Sequence, residues 1–480
     1  MMMGTVTVRR TDWTLGRLAS EAGYALAGDP AVRITGVTED SRQCRAGDLF
    51  VALAGTRDDG IRYARDAATR GAAAVAAERD PGAALPWLRV PDPRGSVGRL
   101  ADLVYGDPSR ELQLVGVTGT NGKTTTAHMV AQLVPGQVGF IGTTGIRYPG
   151  KEAPSANTTP SATEMRRLLR AMADAGCVAC ATEVSSHALV QGRVDGLRFR
   201  AAVYTNLTGD HLDYHGTMEA YAAAKQRLFD LLEPDATAVL NARDPACGNV
   251  RTRARVVRFG PKGVVVEPSR TRFRWRGREV WTPLIGRHNA ENAAAALEAA
   301  CAIGVEPLEA VEALKGVLPA RGRLEAVQQE PFLVLVDYAH TDDALAQALR
   351  TVREVTRGAV HLVFGCGGDR DRTKRPRMGA IAAKCADHVV ITNDNPRSED
   401  PGRIAQEILD GFRRSARVRV QLDRRAAIRE AIAAAGPGDA VLIAGKGHET
   451  GQIVGSEVLP FDDVLVAREE LAVLRTLTHG

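Results

Sequence analysis

Aromatic residues make up only 5% of the 480-residue chain. No apolar run approaches the roughly 20 residues that a membrane-spanning helix needs. The opening residues, MMMGTVTVRRTDW, lack the apolar core of a secretory signal. Neither sign of charge dominates. Lys and Arg number 62 against 57 Asp and Glu, and the resulting +5 suits anionic small molecules but is too weak a surplus to indicate nucleic acid. The seven cysteines, at 44, 177, 180, 247, 301, 366 and 385, are odd in number and scattered, so they give no disulfide framework. Only Cys177 and Cys180 (CVAC) have metal-like spacing, and no second pair or histidine pair accompanies them, which predicts small buried thiols. There is no short-period repeat and no low-complexity tract. What remains is a soluble, cytoplasmic, globular protein, too long for one ordinary core and suited to two or three domains.

Three blocks are expected, 1–108, 109–329 and 330–480, with GDPSREL (106–112) as the first linker. The first block contains short strand-like runs such as DLFVAL (48–53). The second opens with LQLVGV (112–117), followed by CVACATEV (177–184) and RAAVYTNL (200–207). The third repeats the design in FLVLVDYAHT, AVHLVFGCGGDRD, HVVITNDNPRSED and DAVLIAGKGHET. Continuous apolar strands alternating with helical segments predict an α/β fold with parallel sheets covered on both faces. Ligands in such sheets bind beyond the carboxyl ends of the strands, where all these polar clusters fall.

GVTGTNGKTTT (116–126) follows a strand and opens a helix, the placement a phosphate cradle requires. Backbone N–H groups and the helix N-terminus face the anion, Lys123 reaches the terminal phosphates, and Thr124 can hold Mg²⁺. Val117 stands where the common Walker pattern has its first glycine, with Gly116 and Gly119 on either side. Two further clusters, TEVSSHAL with Glu183, Ser185 and His187, and TNLTGDHLDYH with Asp210, His211, Asp213 and His215, offer carboxylate and imidazole groups that suit Mg²⁺. Just beyond lies YHGTMEAYAAAKQRLF (214–229). It predicts a helix capped by Thr217, with Tyr221, Lys225, Leu228 and Phe229 on one apolar face. Taken alone, that helix suggests a Lys225 whose stem packs while its ammonium snorkels to water.

The ordered set GTNGKTTT, TEVSSHAL, TNLTGDHLDYHGTMEAYAAAKQRLF, GRHNAENAAAA, GRLE, DYAHTDDAL, GCGGDRD, DNPR and GKGHE resembles the Mur ligases across nearly the whole chain. These are ATP-dependent, amide-forming enzymes of peptidoglycan precursor synthesis, active in cell-wall growth and division. The resemblance implies three α/β domains: a smaller N-terminal UDP-sugar-binding domain, a central P-loop ATPase-like parallel sheet, and a C-terminal Rossmann-like domain that binds the amino acid. It implies ATP contacts at Gly119, Thr120, Asn121, Gly122, Lys123, Thr124, Thr125, Asn292, Arg323, Asp337 and His340. It further implies two Mg²⁺ ions held by Thr124, Glu183, His211 and a Lys225 carbamylated by CO₂, so that Lys123, Glu183, His211 and Lys225 carry the chemistry.

For substrates, the resemblance points to the members that add the third peptide residue to UDP-N-acetylmuramoyl-L-alanyl-D-glutamate through an acyl phosphate. Ser41, Thr56, Arg57, Asp58, Asn157, Thr158, Thr159, Ser185, Gln191 and Arg193 match the positions contacting that sugar-dipeptide. Arg370, Asp394, Asn395, Pro396, Arg397, Gly445 and Glu449 match a meso-diaminopimelate pocket. An arginine can grip the distal carboxylate there and a glutamate an ammonium. L-Lysine or L-ornithine as the added amino acid, or a folylpolyglutamate synthase-like reaction, are the alternatives. A monomer without nucleic-acid or membrane partners is expected. Asp342 stands where the family usually has proline.

Overall fold

Each of these apolar runs is a strand in the computed structural model, which describes residues 12–55, 58–412 and 417–479. The chain forms two compact units, Met1–Gly260 with Ala295–Ala313, and Pro261–Ala294 with Leu314–Gly480.

The first unit contains two main sheets. The smaller has the order Ala25–Ala27, Trp87–Arg89, Ala74–Ala77, Asp48–Val51 and Gly36–Thr38, parallel except at its first strand. Its core packs Val37, Leu49 and Leu88 against Leu15 and Leu18 of helix Leu15–Ala22 and Val97 and Leu100 of helix Pro93–Tyr105. The larger sheet runs through Lys151–Ala153, Gly145–Tyr148, Val138–Gly142, Ala179–Glu183, Gln113–Thr118, Ala201–Tyr204, Thr237–Asn241 and Arg255–Phe259. From Val138–Gly142 onward every pairing is parallel. Gln113–Thr118 lies between Ala179–Glu183 and Ala201–Tyr204, with Glu183 opposite Val117 and Tyr204 opposite Thr118. Three polar strand-end clusters thus meet at one edge.

The stretch expected to be a linker is packed instead. Ser109 is buried and its hydroxyl accepts from the Arg198 N–H at 3.1 Å, while Arg170 forks onto Glu111. Just before it, the fully buried guanidinium of Arg166 clasps Asp102. Glycine and proline mark a turn here, but the charged flanks fasten it.

In the second unit a six-stranded sheet has the order Glu325–Gln328, Leu333–Asp337, Ala440–Ala444, Val360–Phe364, His388–Ile391 and Val418–Val420, parallel except for its first strand. That sheet starts at Glu325, slightly ahead of position 330. Leu335, Leu362, Phe364 and Leu442 fill one face and Val334, Val363, Val441 and Ile443 the other, as expected of strands without polar alternation. A three-stranded antiparallel sheet (Lys262–Glu267, Arg270–Trp275, Arg278–Thr282) belongs to the same unit. Among the described residues no helix is long and apolar enough to cross a membrane.

Candidate active site

In the first unit the phosphate loop leads from strand Gln113–Thr118 into helix Lys123–Leu133. Gly119 has φ +143°, and a Cβ there would come within 1.9 Å of Thr205 Oγ1, so glycine is required. The loop is buttoned to the adjacent strand end. Asn206 Oδ1 accepts from the Asn121 N–H at 2.9 Å, Thr205 Oγ1 donates to Asn121 O at 2.6 Å, and the Thr120 hydroxyl takes the Thr208 N–H at 3.0 Å. Lys123 Nζ donates to Gly119 O and Thr120 O, both at 2.8 Å.

Thr124, in the first turn of that helix, donates its hydroxyl to Glu183 Oε2 at 2.9 Å. Glu183 is fully buried, and its other oxygen accepts the Thr143 N–H at 2.7 Å. Beside it Thr159 Oγ1 donates to Glu183 O and accepts from the Ser185 N–H, and Arg193 Nη1 holds Thr159 O at 2.7 Å while also gripping Gln191. Thr158 reaches the same group through the Thr143 hydroxyl. Thr158, Thr159, Glu183, Ser185, Gln191 and Arg193 therefore form one constellation. Asn157 is exposed, accepting only a local bond from Ser155. Ser41 and Asp58 lie in loops of the smaller sheet, Ser41 buried after its Asp40 cap and Asp58 bonded to Tyr63 and Arg62. Thr56 and Arg57 lie outside the described residues.

The predicted helix spans Met218–Asp230, and Thr217 caps it by accepting from the Ala220 N–H. Tyr221, Lys225, Leu228 and Phe229 share its buried face, and Lys225, only 1% exposed, does not snorkel. Its Nζ donates to Gly119 O at 2.9 Å and stands 4.3 Å from the Tyr221 ring centroid. Burial, helped by Lys123 and opposed by Asp210, holds this amine well below its ordinary range. The ring of His211 (φ +54°) sits 4.9 Å from the ring of His187, which packs at a tilt against Tyr214 at 4.1 Å. Burial, then His211 and His215, push His187 down to about 4.

Among the described residues no group of three His, Cys, Asp or Glu side chains could hold a metal ion. The Thr124 hydroxyl and Glu183 carboxylate are nonetheless the oxygen donors a hard cation prefers, and the pair fits Mg²⁺. Cys177 and Cys180 are free and buried, the thiol of Cys177 pushed up to about 11.

In the second unit, Asp337 ends its strand with both oxygens held, by the Leu324 and Ala339 N–H groups. Arg323 lies 4.7 Å from the Tyr338 ring, with His340 and His448 packed on that ring at 4.5 and 4.9 Å. Asn292 is buried on helix Arg287–Ala302 and donates to Asn289 Oδ1. The DNPR and GKGHE loops meet. A Cβ on Gly445 would lie 2.5 Å from Asp394 Oδ2, and Asn395 Nδ2 donates to Glu449 Oε2 at 2.8 Å. Arg397, in a left-handed conformation (φ +53°), donates to Gly368 O at 2.8 Å, and Arg370 donates to Asp369 O. Pro396 is buried.

The residues that reading the sequence missed are supports: Thr143, Thr205, Asn206, Thr208 and Lys446. Thr205, Asn206 and Thr208 stood inside a quoted motif, but nothing in a sequence says that a strand-end amide faces a loop from another strand.

A glycine loop between a parallel strand and a helix, with polar clusters at the neighbouring strand ends, defines a class, and comparison with known proteins agrees. Residues 33–105 match the Mur ligase family catalytic domain, 117–300 the Mur ligase middle domain, and 322–447 the Mur ligase glutamate ligase domain. The chain belongs to the Mur ligase family and is an enzyme of the ligase class. Within that family, a Gloeobacter violaceus protein named UDP-N-acetylmuramoyl-L-alanyl-D-glutamate--2,6-diaminopimelate ligase is 45% identical over 96% of this chain and 99% of its own length. A Streptomyces coelicolor protein of the same name is 43% identical over 97% of each. A solved structure of a ligase of that name superposes with a TM-score of 0.68 at 32% identity, covering 97% of this chain and all of that one.

Proposed function

We propose that this enzyme adds meso-diaminopimelate to UDP-N-acetylmuramoyl-L-alanyl-D-glutamate, with ATP cleaved to ADP and phosphate, in the cytoplasm and as a monomer. The observation carrying the choice of amino acid is the junction of the DNPR and GKGHE loops. Asn395 ties Glu449 to the loop that carries Arg397, and Arg397 and Arg370 bond to the adjacent Gly368 and Asp369 carbonyls, which supports a substrate with a carboxylate and an ammonium at its far end. Residues 1–108 take the uridine end, 109–329 the phosphates and the acyl centre, and 330–480 the amino acid.

Lys123 and the loop N–H groups align and neutralise the ATP phosphates, so that the D-glutamate carboxylate attacks the γ-phosphate and forms an acyl phosphate. Thr159, Ser185, Gln191 and Arg193 orient the dipeptide. The incoming amine then attacks the acyl carbonyl and phosphate leaves. Two Mg²⁺ ions held by Thr124, Glu183, His211 and Lys225 would supply charge neutralisation at the phosphates. For Lys225 this requires carbamylation, in which the neutral amine bonds to CO₂ and releases a proton. Its burial and depressed basicity favour that step. Product mass from an assay offering meso-diaminopimelate, L-lysine and L-ornithine at equal concentration tests the reading. The expected product carries diaminopimelate, and preferential use of either rival overturns the amino-acid assignment.

A further inference from the structure

Lys446, between Gly445 and Gly447 of the GKGHE loop, is fully buried. Its Nζ donates to Glu449 Oε2 at 2.9 Å and to Asn395 Oδ1 at 3.0 Å. Asn395 Nδ2 closes a triangle on the same Glu449 oxygen at 2.8 Å, and Asn395 Oδ1 also accepts the Ile453 N–H at 2.9 Å. Glu449 Oε2 is thus doubly engaged, and Oε1 takes no part in the triangle. Its side chain is one-third exposed, whereas the ammonium behind it is not exposed at all. Burial would raise the Glu449 carboxyl, but Lys446 and the Asn395 amide more than offset it and keep the carboxyl below its usual range.

From this triangle we infer that Lys446 is a positioning residue for diamino-acid selection. It fixes the rotamer of Glu449 and keeps it ionised, so that Oε1 is presented as an acceptor for a substrate ammonium. The inference rests on the amino-acid pocket proposed above. Other charged or titratable groups acting on Glu449 include His448 on its own loop and Asp394 and Arg424 from neighbouring elements, with Asp463 beside Arg424. Arg424 and Asp463 neutralise one another in a buried fork, and burial raises the carboxyl of Asp394, so Lys446 is the cation that balances Glu449.

Steady-state kinetics of the full-length enzyme with ATP, the UDP-sugar-dipeptide and meso-diaminopimelate tests this in Lys446→Met and Lys446→Gln. Lys446→Met should raise KM for diaminopimelate about tenfold or more, with KM for ATP within about twofold. Since Glu449 then lacks its counter-charge, that KM should also fall as pH rises and the carboxyl ionises. Lys446→Gln keeps donors for both partners without the charge, so it should recover part of the KM yet retain the new pH dependence. A diaminopimelate KM unchanged in the two variants, or KM values for all three substrates rising together without pH dependence, overturns the inference. A wild type that ligates no diamino acid overturns instead the pocket on which it rests.

Discussion

Each unit buries a lysine, and the two are treated in opposite ways. Lys446 in the second unit has a carboxylate and an amide within 3.0 Å. Lys225 in the first has a backbone carbonyl and an aromatic ring, and forms no ion pair among the described residues. An ammonium removed from water is expensive unless paired, so Lys446 is stabilised by its partners and Lys225 is pressed to shed its proton. The same division separates two arginines of the second unit. Arg375, fully buried, is gripped by Glu399 and Glu407, whereas the Arg397 guanidinium donates to the carbonyls of Gly368 and Asn395 and forms no ion pair among the described residues. Cations with a carboxylate hold the protein together. Those without one are the cations proposed above to meet a ligand.

The largest effect that could break this comparison is at Lys225. Lys225→Met should lower ligation about a hundredfold or more, because the residue proposed to carry a carbamate is gone. In protein freed of Mg²⁺ and CO₂ its melting temperature should stay level or rise, since an amine with no ion pair among the described residues is replaced by an apolar chain of similar volume and Gly119 O keeps its bond from Lys123. Lys446→Met should behave oppositely in stability, losing about 1–3 kcal/mol as Glu449 is left without its partner. Denaturant titration of the two variants side by side measures the contrast. Equal losses of stability would erase it, and near-normal ligation by Lys225→Met would remove the carbamate from the reading. Partial rescue by a small added carboxylate would sharpen it.

Next in size is Arg397→Ala. A charge-assisted contact is worth about 1.5–3 kcal/mol, so KM for meso-diaminopimelate should rise roughly ten- to a hundredfold, and the preference over L-lysine should narrow by a similar factor. Because Arg397 donates to carbonyls and forms no ion pair among the described residues, its loss leaves no buried carboxylate stranded, and the melting temperature should change little. A large fall in stability with an unchanged KM would place Arg397 among the structural cations.

This division was only half legible in the sequence. The strands were readable because their apolar runs are continuous, and helix Met218–Asp230 because Thr217, Glu219 and the spacing of Tyr221, Lys225, Leu228 and Phe229 all agree. That spacing placed Lys225 on the apolar face but could not say whether its ammonium escaped to water. The answer depends on Gly119 O, 106 positions away in the chain. The role of Lys446, inside GKGHE, is hidden for the same reason, since its partner Asn395 lies 51 positions off. Packing of the 106–112 stretch likewise rests on Arg198 and Arg170 from other elements, which no local pattern reports.

The smallest effect concerns Arg375, and it is an acid effect. Hydrogen bonding by the Arg375 guanidinium, against the opposing influence of burial, lowers the Glu399 carboxyl to about 2 from its ordinary 4.5. Glu399 also accepts the Asp369 N–H at 2.6 Å, tying the loop that carries Arg370 to the same anchor. A carboxylate whose folded value lies below its unfolded one binds fewer protons when folded. Its stabilisation is therefore complete above about 4.5 and lost as pH falls toward about 2. Glu399→Gln should cost about 1–2 kcal/mol at neutral pH. The gap to wild type should close through that acid window, as melting curves at stepped pH would record. KM for the diamino acid should move much less than in Arg397→Ala, because Arg375 is already satisfied within the fold. A neutral-pH stability identical to wild type, paired with a large KM change, would show that a cation held by two carboxylates still works for the substrate, and the rule drawn from the two lysines would fail at its best-paired example.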